Sequence, residues 1–226
     1  MSPNKNAKFF AFINEFQPGR KVHWESVFLQ VQQPLILGDV DSVLEFGPNR
    51  GLTGAILKHY GIDYLSADIH SEFIEPDFKK SILEFKSKRK FDMVCAFQVL
   101  EHNPPEDFPR HLDKLAMLSK KYVYISLPYS GRWFSFSFNL NLPRLNISFS
   151  RVFTLNRFLK KTRPLENYRK QVKPFPYHSH HWFEIGDRDF TLKQISAGFK
   201  KHQLKINSYF HSNSFPKHCF FLLEKM

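Results

Sequence analysis

The stretch 43–61 does most to limit what this chain can fold into. A short apolar run, Val43-Leu44-Glu45-Phe46, stops at Gly47 and passes through Pro48-Asn49-Arg50-Gly51. The segment 50–60 then carries Leu52, Ala55 and Ile56 at helical spacing and ends at Gly61. A strand that turns on glycine straight into a helix must be followed by a strand parallel to the first, because the helix brings the chain back to the same starting edge. The pattern continues with strands over 62–69, 81–85 and 91–97, a helix over 105–119 and a strand over 121–127. Such alternation predicts a doubly wound α/β sheet. The C-terminus reads differently: a helix over 191–203 precedes strands 204–211 and 217–225, joined by Ser212-Asn213-Ser214-Phe215-Pro216. Two strands so close together form a hairpin, so the last strand runs antiparallel.

With 226 residues, one sizeable core is expected. No apolar run is long enough to cross a bilayer. Met1-Ser-Pro-Asn-Lys5 offers no apolar h-region before Glu15, and Cys95 and Cys219 are the only two cysteines, so a reducing cytoplasm is expected. The net charge of +12 is concentrated: 129–226 holds 17 basic and 5 acidic residues, and 129–180 holds ten basic residues against Glu166 alone. Within that stretch Phe134, Phe136, Phe138, Leu140 and Leu142 alternate with Ser and Asn, and after Pro143 so do Leu145, Ile147 and Phe149. The α/β rhythm lapses here. We therefore divide a single 1–226 domain into an N-terminal extension (1–40), a core (41–128), a basic aromatic insertion (129–180) and a terminal helix and hairpin (181–226).

Glycines where a first strand meets a first helix let a ligand approach the backbone, with helix N–H groups facing it. Asp68 closes the next strand, 21 residues after Gly47, where a carboxylate can accept from two ribose hydroxyls. A dinucleotide fingerprint needs G-x-G-x-x-G, and Asn49 and Leu52 stand at two of its glycine positions. Glu45 in the turn suits a ligand with a cationic end better than a pyrophosphate. Together 43–51, Asp68 and the run Phe91-Asp-Met-Val-Cys-Ala-Phe-Gln-Val-Leu-Glu-His102 resemble the class I S-adenosylmethionine-dependent methyltransferases, in particular a small-molecule branch with a Val-Leu-Glu-His turn and mostly unassigned substrates. The likeness covers 43–128 and the terminal helix and hairpin. It implies a Rossmann-like sheet of about seven strands with a reversed last strand, and S-adenosylmethionine as cofactor. Carried over residue by residue, Gly47, Asn49 and Gly51 would line the methionine side, with Glu45 near its ammonium. Asp68 would hold the ribose, Ser81 and Ile82 would flank the adenine, and Phe97 and Gln98 would back the sulfonium. Asn49 stands where the family usually has glycine, and Ser81 replaces a frequent acid.

On the acceptor side, His102 lies just past a strand end at the edge where ligands bind. It is the candidate base or orienter, with the alternative of a histidine that fixes the next turn. His181, Trp182 and Glu184 are candidates for the acceptor pocket, with packing as the alternative. Asn103-Pro104-Pro105-Glu106 lacks the aromatic of a base-flipping turn and reads as a helix start. His178, His180, His181 and Glu184 could ligate a metal, but the adjacency of His180 and His181 counts against it, and no metal is expected. The basic insertion has three readings: a solvated excursion, a nucleic-acid contact, or a lid over an anionic acceptor or on an anionic membrane surface. The lid reading places Trp133 and Phe134 inward and gathers Arg144, Arg151, Arg157, Lys160, Lys161 and Arg163 into a positive patch. These features make a methyltransferase for a small or lipid- or phosphate-linked acceptor the leading expectation, and the resemblance alone implies a saccharide hydroxyl as that acceptor. RNA or DNA methylation and a non-catalytic cofactor-fold module are the alternatives.

Overall fold

The structure, a computed structural model, describes residues 21–71, 73–154, 181–187, 189–213 and 215–226. Its main sheet is built from β1 (Ser42–Phe46), β2 (Asp63–Ala67), β3 (Phe91–Phe97), β4 (Ser119–Pro128), β7 (Leu204–His211) and β8 (His218–Lys225), in the order β2-β1-β3-β4-β8-β7. The first four pair in parallel, and β8 runs antiparallel to both β4 and β7. Every residue of β1 and β3 is buried, as expected of central parallel strands covered on both faces.

Alternate residues feed two cores. On one face Leu44, Phe46, Val94, Ala96 and Ile125 pack with Leu112 and Leu115 of α3 (Phe108–Leu118) and Phe199 of α4 (Leu192–Lys201). On the other, Val43, Met93, Cys95, Phe97 and Tyr124 meet Leu57 of α2 (Leu52–His59) and Val31 of α1 (Lys21–Leu37). Both cysteines are buried and free. Helix α1, drawn from the N-terminal extension, is bolted down: Tyr124 Oη donates to the Leu29 carbonyl at 2.7 Å, and Thr53 Oγ1 donates to Gln30 Oε1 at 2.5 Å. Among the described residues no helix is long and apolar enough to cross a membrane.

The sheet has six strands where about seven were expected. Residues 81–85 form a turn because Ser81 finds local partners: its Oγ donates to Glu84 Oε2 at 2.8 Å, and the Phe85 N–H reaches the Ser81 carbonyl at 3.0 Å. Beyond β2 the sheet gains only the isolated parallel bridge Ala67↔Phe78. The helix expected over 105–119 is split: the prolines open a 3₁₀ turn, Pro105–Asp107, before α3 begins.

In the insertion, β5 (Trp133–Leu142) and β6 (Leu145–Thr154) form a separate two-stranded ribbon. Its register places Phe134 opposite Phe153, Phe136 opposite Arg151, Phe138 opposite Phe149, Leu140 opposite Ile147 and Leu142 opposite Leu145. One face is therefore apolar except for Arg151, and the other carries mostly Ser and Asn. Trp133 packs partly against the main core. Phe134, expected to turn inward, is 49% exposed: it stacks on Phe153 at 4.7 Å on the ribbon's own apolar face. Arg157, Lys160, Lys161 and Arg163, the rest of the expected patch, lie outside the described residues, as do His178 and His180.

Helix α2 reaches the sheet through Gly54, where a Cβ would come within 2.3 Å of the Tyr64 ring. Alanine is the better helix former by about 1 kcal/mol, but forced contact in a packed site costs about 1–3 kcal/mol. Gly54→Ala should therefore lower stability in denaturant titration. A rise would mean that Tyr64 can swing aside.

Candidate active site

Because β1, β2, β3 and β4 run in parallel, the segments leaving them gather along one edge. At the β1 exit Gly47, Asn49 and Gly51 have φ of 73°, 48° and 73°, the left-handed region that favours glycine and tolerates asparagine. Asparagine in the expected glycine position thus keeps the turn's shape. Gly47 has no room for a side chain either, since a Cβ would stand 2.4 Å from Val99 Cγ2. Its N–H donates to the Ala67 carbonyl at 3.0 Å and ties the turn to β2. Gly51 caps α2 without a side-chain hydrogen bond, which leaves the first N–H groups of that helix facing outward for an anionic group.

Asp68 follows β2 directly. It is half-buried, and its Oδ1 accepts from the His70 N–H at 3.2 Å. Glu45 is 2% exposed, and its Oε2 accepts from Tyr64 Oη at 2.5 Å. Burial pushes its pKa up to about 8 against the lowering effect of that hydrogen bond, and the Tyr64 hydroxyl is pushed far up by its own burial and by Glu45.

At the β3 exit Gln98 has φ 56° and bridges to β4, donating from its N–H to the Ser126 carbonyl at 3.1 Å and from Nε2 to Ser126 Oγ at 3.2 Å. A 3₁₀ turn, Leu100–His102, follows. Asn103 closes it, donating from Nδ2 to the Val99 carbonyl at 3.0 Å, so that amide serves the turn.

The segment 181–187 comes back to the same edge. The Trp182 N–H donates to the Glu101 carbonyl at 2.7 Å, the Ile185 N–H to Pro128 at 2.8 Å, and the Ser130 N–H to Ile185 at 3.0 Å. Phe183, completely buried, stacks on Phe190 with centroids 4.1 Å apart and anchors the segment. The result sets the His102 and His181 rings 5.2 Å apart, edge to face. His181 Nδ1 donates to Glu184 Oε1 at 2.9 Å, and this bond raises the pKa of His181 against the effect of burial.

The structure thus brings His102, His181 and Glu184 together, and sets Gly47, Asn49, Gly51, Asp68 and Gln98 along the strand exits. The other expected cofactor residues have these surroundings. Ile82 is 5% exposed within the main core, Ser81 is turned to Glu84, and Phe97 is 6% exposed with its ring against Tyr124 and Phe220. Sequence reasoning gave no role to Tyr64 or to Glu101. Glu101 is completely buried with neither carboxylate oxygen hydrogen-bonded among the described residues; an acid lodged between Leu100 and His102 in a turn that closes on the core was the available signal.

A family model described as a methyltransferase domain matches residues 10–185. No curated protein sequence matches the chain. Among solved structures, magnesium protoporphyrin IX methyltransferase from Synechocystis PCC 6803 with bound S-adenosylhomocysteine aligns with TM-score 0.58 at 15% identity, over 92% of this chain and 85% of that one. An S-adenosylmethionine-dependent methyltransferase from Clostridium acetobutylicum ATCC 824 aligns with TM-score 0.57 at 11% identity, over 98% and 99%. An amino pentose methyltransferase from Micromonospora echinaspora with bound S-adenosylmethionine aligns with TM-score 0.56 at 9% identity, over 100% and 99%. At these identities the likeness is one of fold.

The buried Glu45 makes stability depend on pH. With its folded pKa near 8, above the ordinary 4.5, the folded chain holds a proton that the unfolded chain releases. Its contribution is fully present below pH 4.5 and is lost as pH rises towards 8. Denaturant titrations across that window should show falling stability. Glu45→Gln, which keeps an acceptor for Tyr64, should flatten the fall; Glu101, raised to about 8 by burial, supplies a remainder of the same sign. An unchanged slope in Glu45→Gln would place the titration elsewhere.

Proposed function

The chain belongs to the methyltransferase-domain family, and from that premise we propose that it moves a methyl group from S-adenosylmethionine to a small-molecule acceptor hydroxyl at the edge just described. The observation that carries this reading is the meeting of the glycine turn, the Asp68 carboxylate and the His102–His181 pair on one edge of the sheet. The residues present fit such a cofactor. A backbone turn without room for Cβ at Gly47 admits close approach, the uncapped start of α2 suits a carboxylate, and Asp68 can accept from ribose hydroxyls. Glu45, beneath the turn, adds a carboxyl that a nearby ammonium would help to ionise.

S-adenosylmethionine supplies a methyl carbon whose bond to sulfur breaks, the electron pair staying on sulfur, as an acceptor oxygen lone pair forms the new bond. Gly47, Asn49 and Gly51 would hold the methionine end and Asp68 the ribose, with Gln98 on the sulfonium side. His102, with His181 held by Glu184, orients the acceptor and receives its hydroxyl proton. A saccharide is the acceptor class we favour. The sequence resemblance points that way, and an amino pentose methyltransferase shares the fold.

The ribbon extends the reading to an anionic or lipid-linked acceptor. Its apolar face keeps Phe136 at 54% and Phe138 at 46% exposure. Arg132 precedes β5 and Arg144 lies in the turn, while Arg151 sits on the face itself opposite Phe136, and no acidic residue occurs within 131–154. An apolar face with cationic residues on it and at its ends matches an anionic bilayer surface, where each Lys or Arg contributes about 1 kcal/mol within a Debye length.

Two measurements check this. Calorimetry should show S-adenosylmethionine binding that Asp68→Ala weakens by about 1.5–3 kcal/mol for each charge-assisted hydrogen bond lost, whereas tight NAD binding in its place would overturn the reading. In liposome sedimentation the chain should pellet with anionic vesicles at low salt and be released at high salt. Phe136→Ser/Phe138→Ser should weaken the pelleting, and neutral vesicles should leave the chain in the supernatant. Equal recovery throughout would remove the membrane contact, and salt-sensitive RNA binding instead would favour a nucleic-acid acceptor.

A further inference from the structure

Beside the cofactor edge, one group has no protein partner to account for it. Glu101 is completely buried, and neither of its carboxylate oxygens has a hydrogen-bond partner among the described residues. A carboxyl in that position is costly unless a proton or a cation compensates it. Two imidazoles stand within reach. One donor atom from each of Glu101, His102 and His181 lies within 4.8 Å of the others.

Backbone architecture makes this meeting. Sequence neighbours seldom share a cation, but the 3₁₀ turn Leu100–His102 holds donor atoms of Glu101 and His102 within 4.8 Å of each other, and the 2.7 Å hydrogen bond from the Trp182 N–H to the Glu101 carbonyl delivers His181 to the same place. His181 is further oriented by its Nδ1 bond to Glu184 Oε1 at 2.9 Å. A carboxylate holding one imidazole nitrogen while the other faces a cation is the outer arrangement usual around metal-bound histidines. Both histidines are half-buried, so the cluster stays reachable from the side where an acceptor would sit.

The geometry points to a divalent-cation site formed by Glu101, His102 and His181, with Glu184 as the residue positioning His181, and with a coordination place left for an acceptor oxygen. Two imidazoles and one carboxylate suit Zn²⁺, and Co²⁺ or Mn²⁺ as substitutes, better than the oxygen-seeking Mg²⁺ or Ca²⁺. A cation held at about 2.0–2.2 Å by each donor would draw the three together from their present spacing. It would also neutralise the buried carboxylate. Three protein ligands with an open position describe a catalytic site more than a structural one, and an oxygen on the cation loses its proton more easily, so with the cation bound His102 acts as a ligand and the proton leaves to another group. The acceptor's part rests on the methyl-transfer reading above; the metal site itself does not.

The test is a Co²⁺ titration of the chelator-stripped full chain, read by visible d–d absorption, with Zn²⁺ calorimetry beside it. We expect one equivalent per chain. His102→Ala and His181→Ala should each weaken binding at least tenfold, and Glu184→Gln by about 10–100-fold. His59→Ala, exposed on α2, should bind as the parent does. Glu101→Gln should also weaken binding, and its thermal melt with and without Zn²⁺ separates lost folding from lost ligation. Absence of one-to-one binding, or binding undiminished in both His102→Ala and His181→Ala, overturns the site. S-adenosylmethionine calorimetry on the metal-free chain keeps the two readings apart. Cofactor binding without metal binding removes the metal site alone, and metal binding without cofactor binding removes the methyl-transfer reading alone.

Discussion

Parallel pairing of β2, β1, β3 and β4 is the constraint from which the rest follows. Each of these strands must be re-entered from the opposite edge, so every segment leaving a strand end lies on one side of the sheet. The two central strands are wholly buried and have no freedom to shift register, since a slip of one residue would exchange the two cores. The Gly47 turn, Asp68, Gln98 and the Leu100–His102 turn are neighbours for that reason. The antiparallel β8 pairs beside β4, β7 pairs on its far side as the edge strand, and α4 packs on one face of the sheet.

Two buried carboxyls stand at these exits, and their circumstances differ. Glu45 has a fixed partner in Tyr64, at 2.5 Å, and Tyr64 is itself pressed against Gly54 of α2. Helix packing and the chemistry under the glycine turn therefore share one side chain. Among the described residues Glu101 has no such side-chain partner, and His102, His181 and Glu184 stand near it. Burial makes that acid keep its proton, and a cation drawn to the place would take the proton's part.

The fold was largely readable because its signals are local. The glycine turn at 47–51, the helical spacing of 52–59 and the hairpin after β7 each lie within one short window. Residues 81–85 were misread because their apolar composition suits a strand, while Ser81 and Glu84 close a turn that pattern alone does not reveal. The site was legible in pieces. His102, His181 and Glu184 could be named, but their meeting depends on hydrogen bonds between the turn after β3 and 181–187, across a long stretch of chain. Glu101 was passed over because burial of one acid in a turn is a tertiary property. Phe134 was expected inward because alternating apolar residues imply a covered face; the cross-strand register gives that face to the ribbon itself.

The most direct test of the account is a crystal structure of the chain grown with S-adenosylhomocysteine. The account predicts density along the β1, β2 and β3 exits, with the ribose hydroxyls on the Asp68 carboxylate, the amino-acid end over Gly47–Gly51, and the sulfur facing the His102 and His181 rings. Density that leaves Asp68 without a ribose contact, or a ligand bound away from this edge, would contradict it.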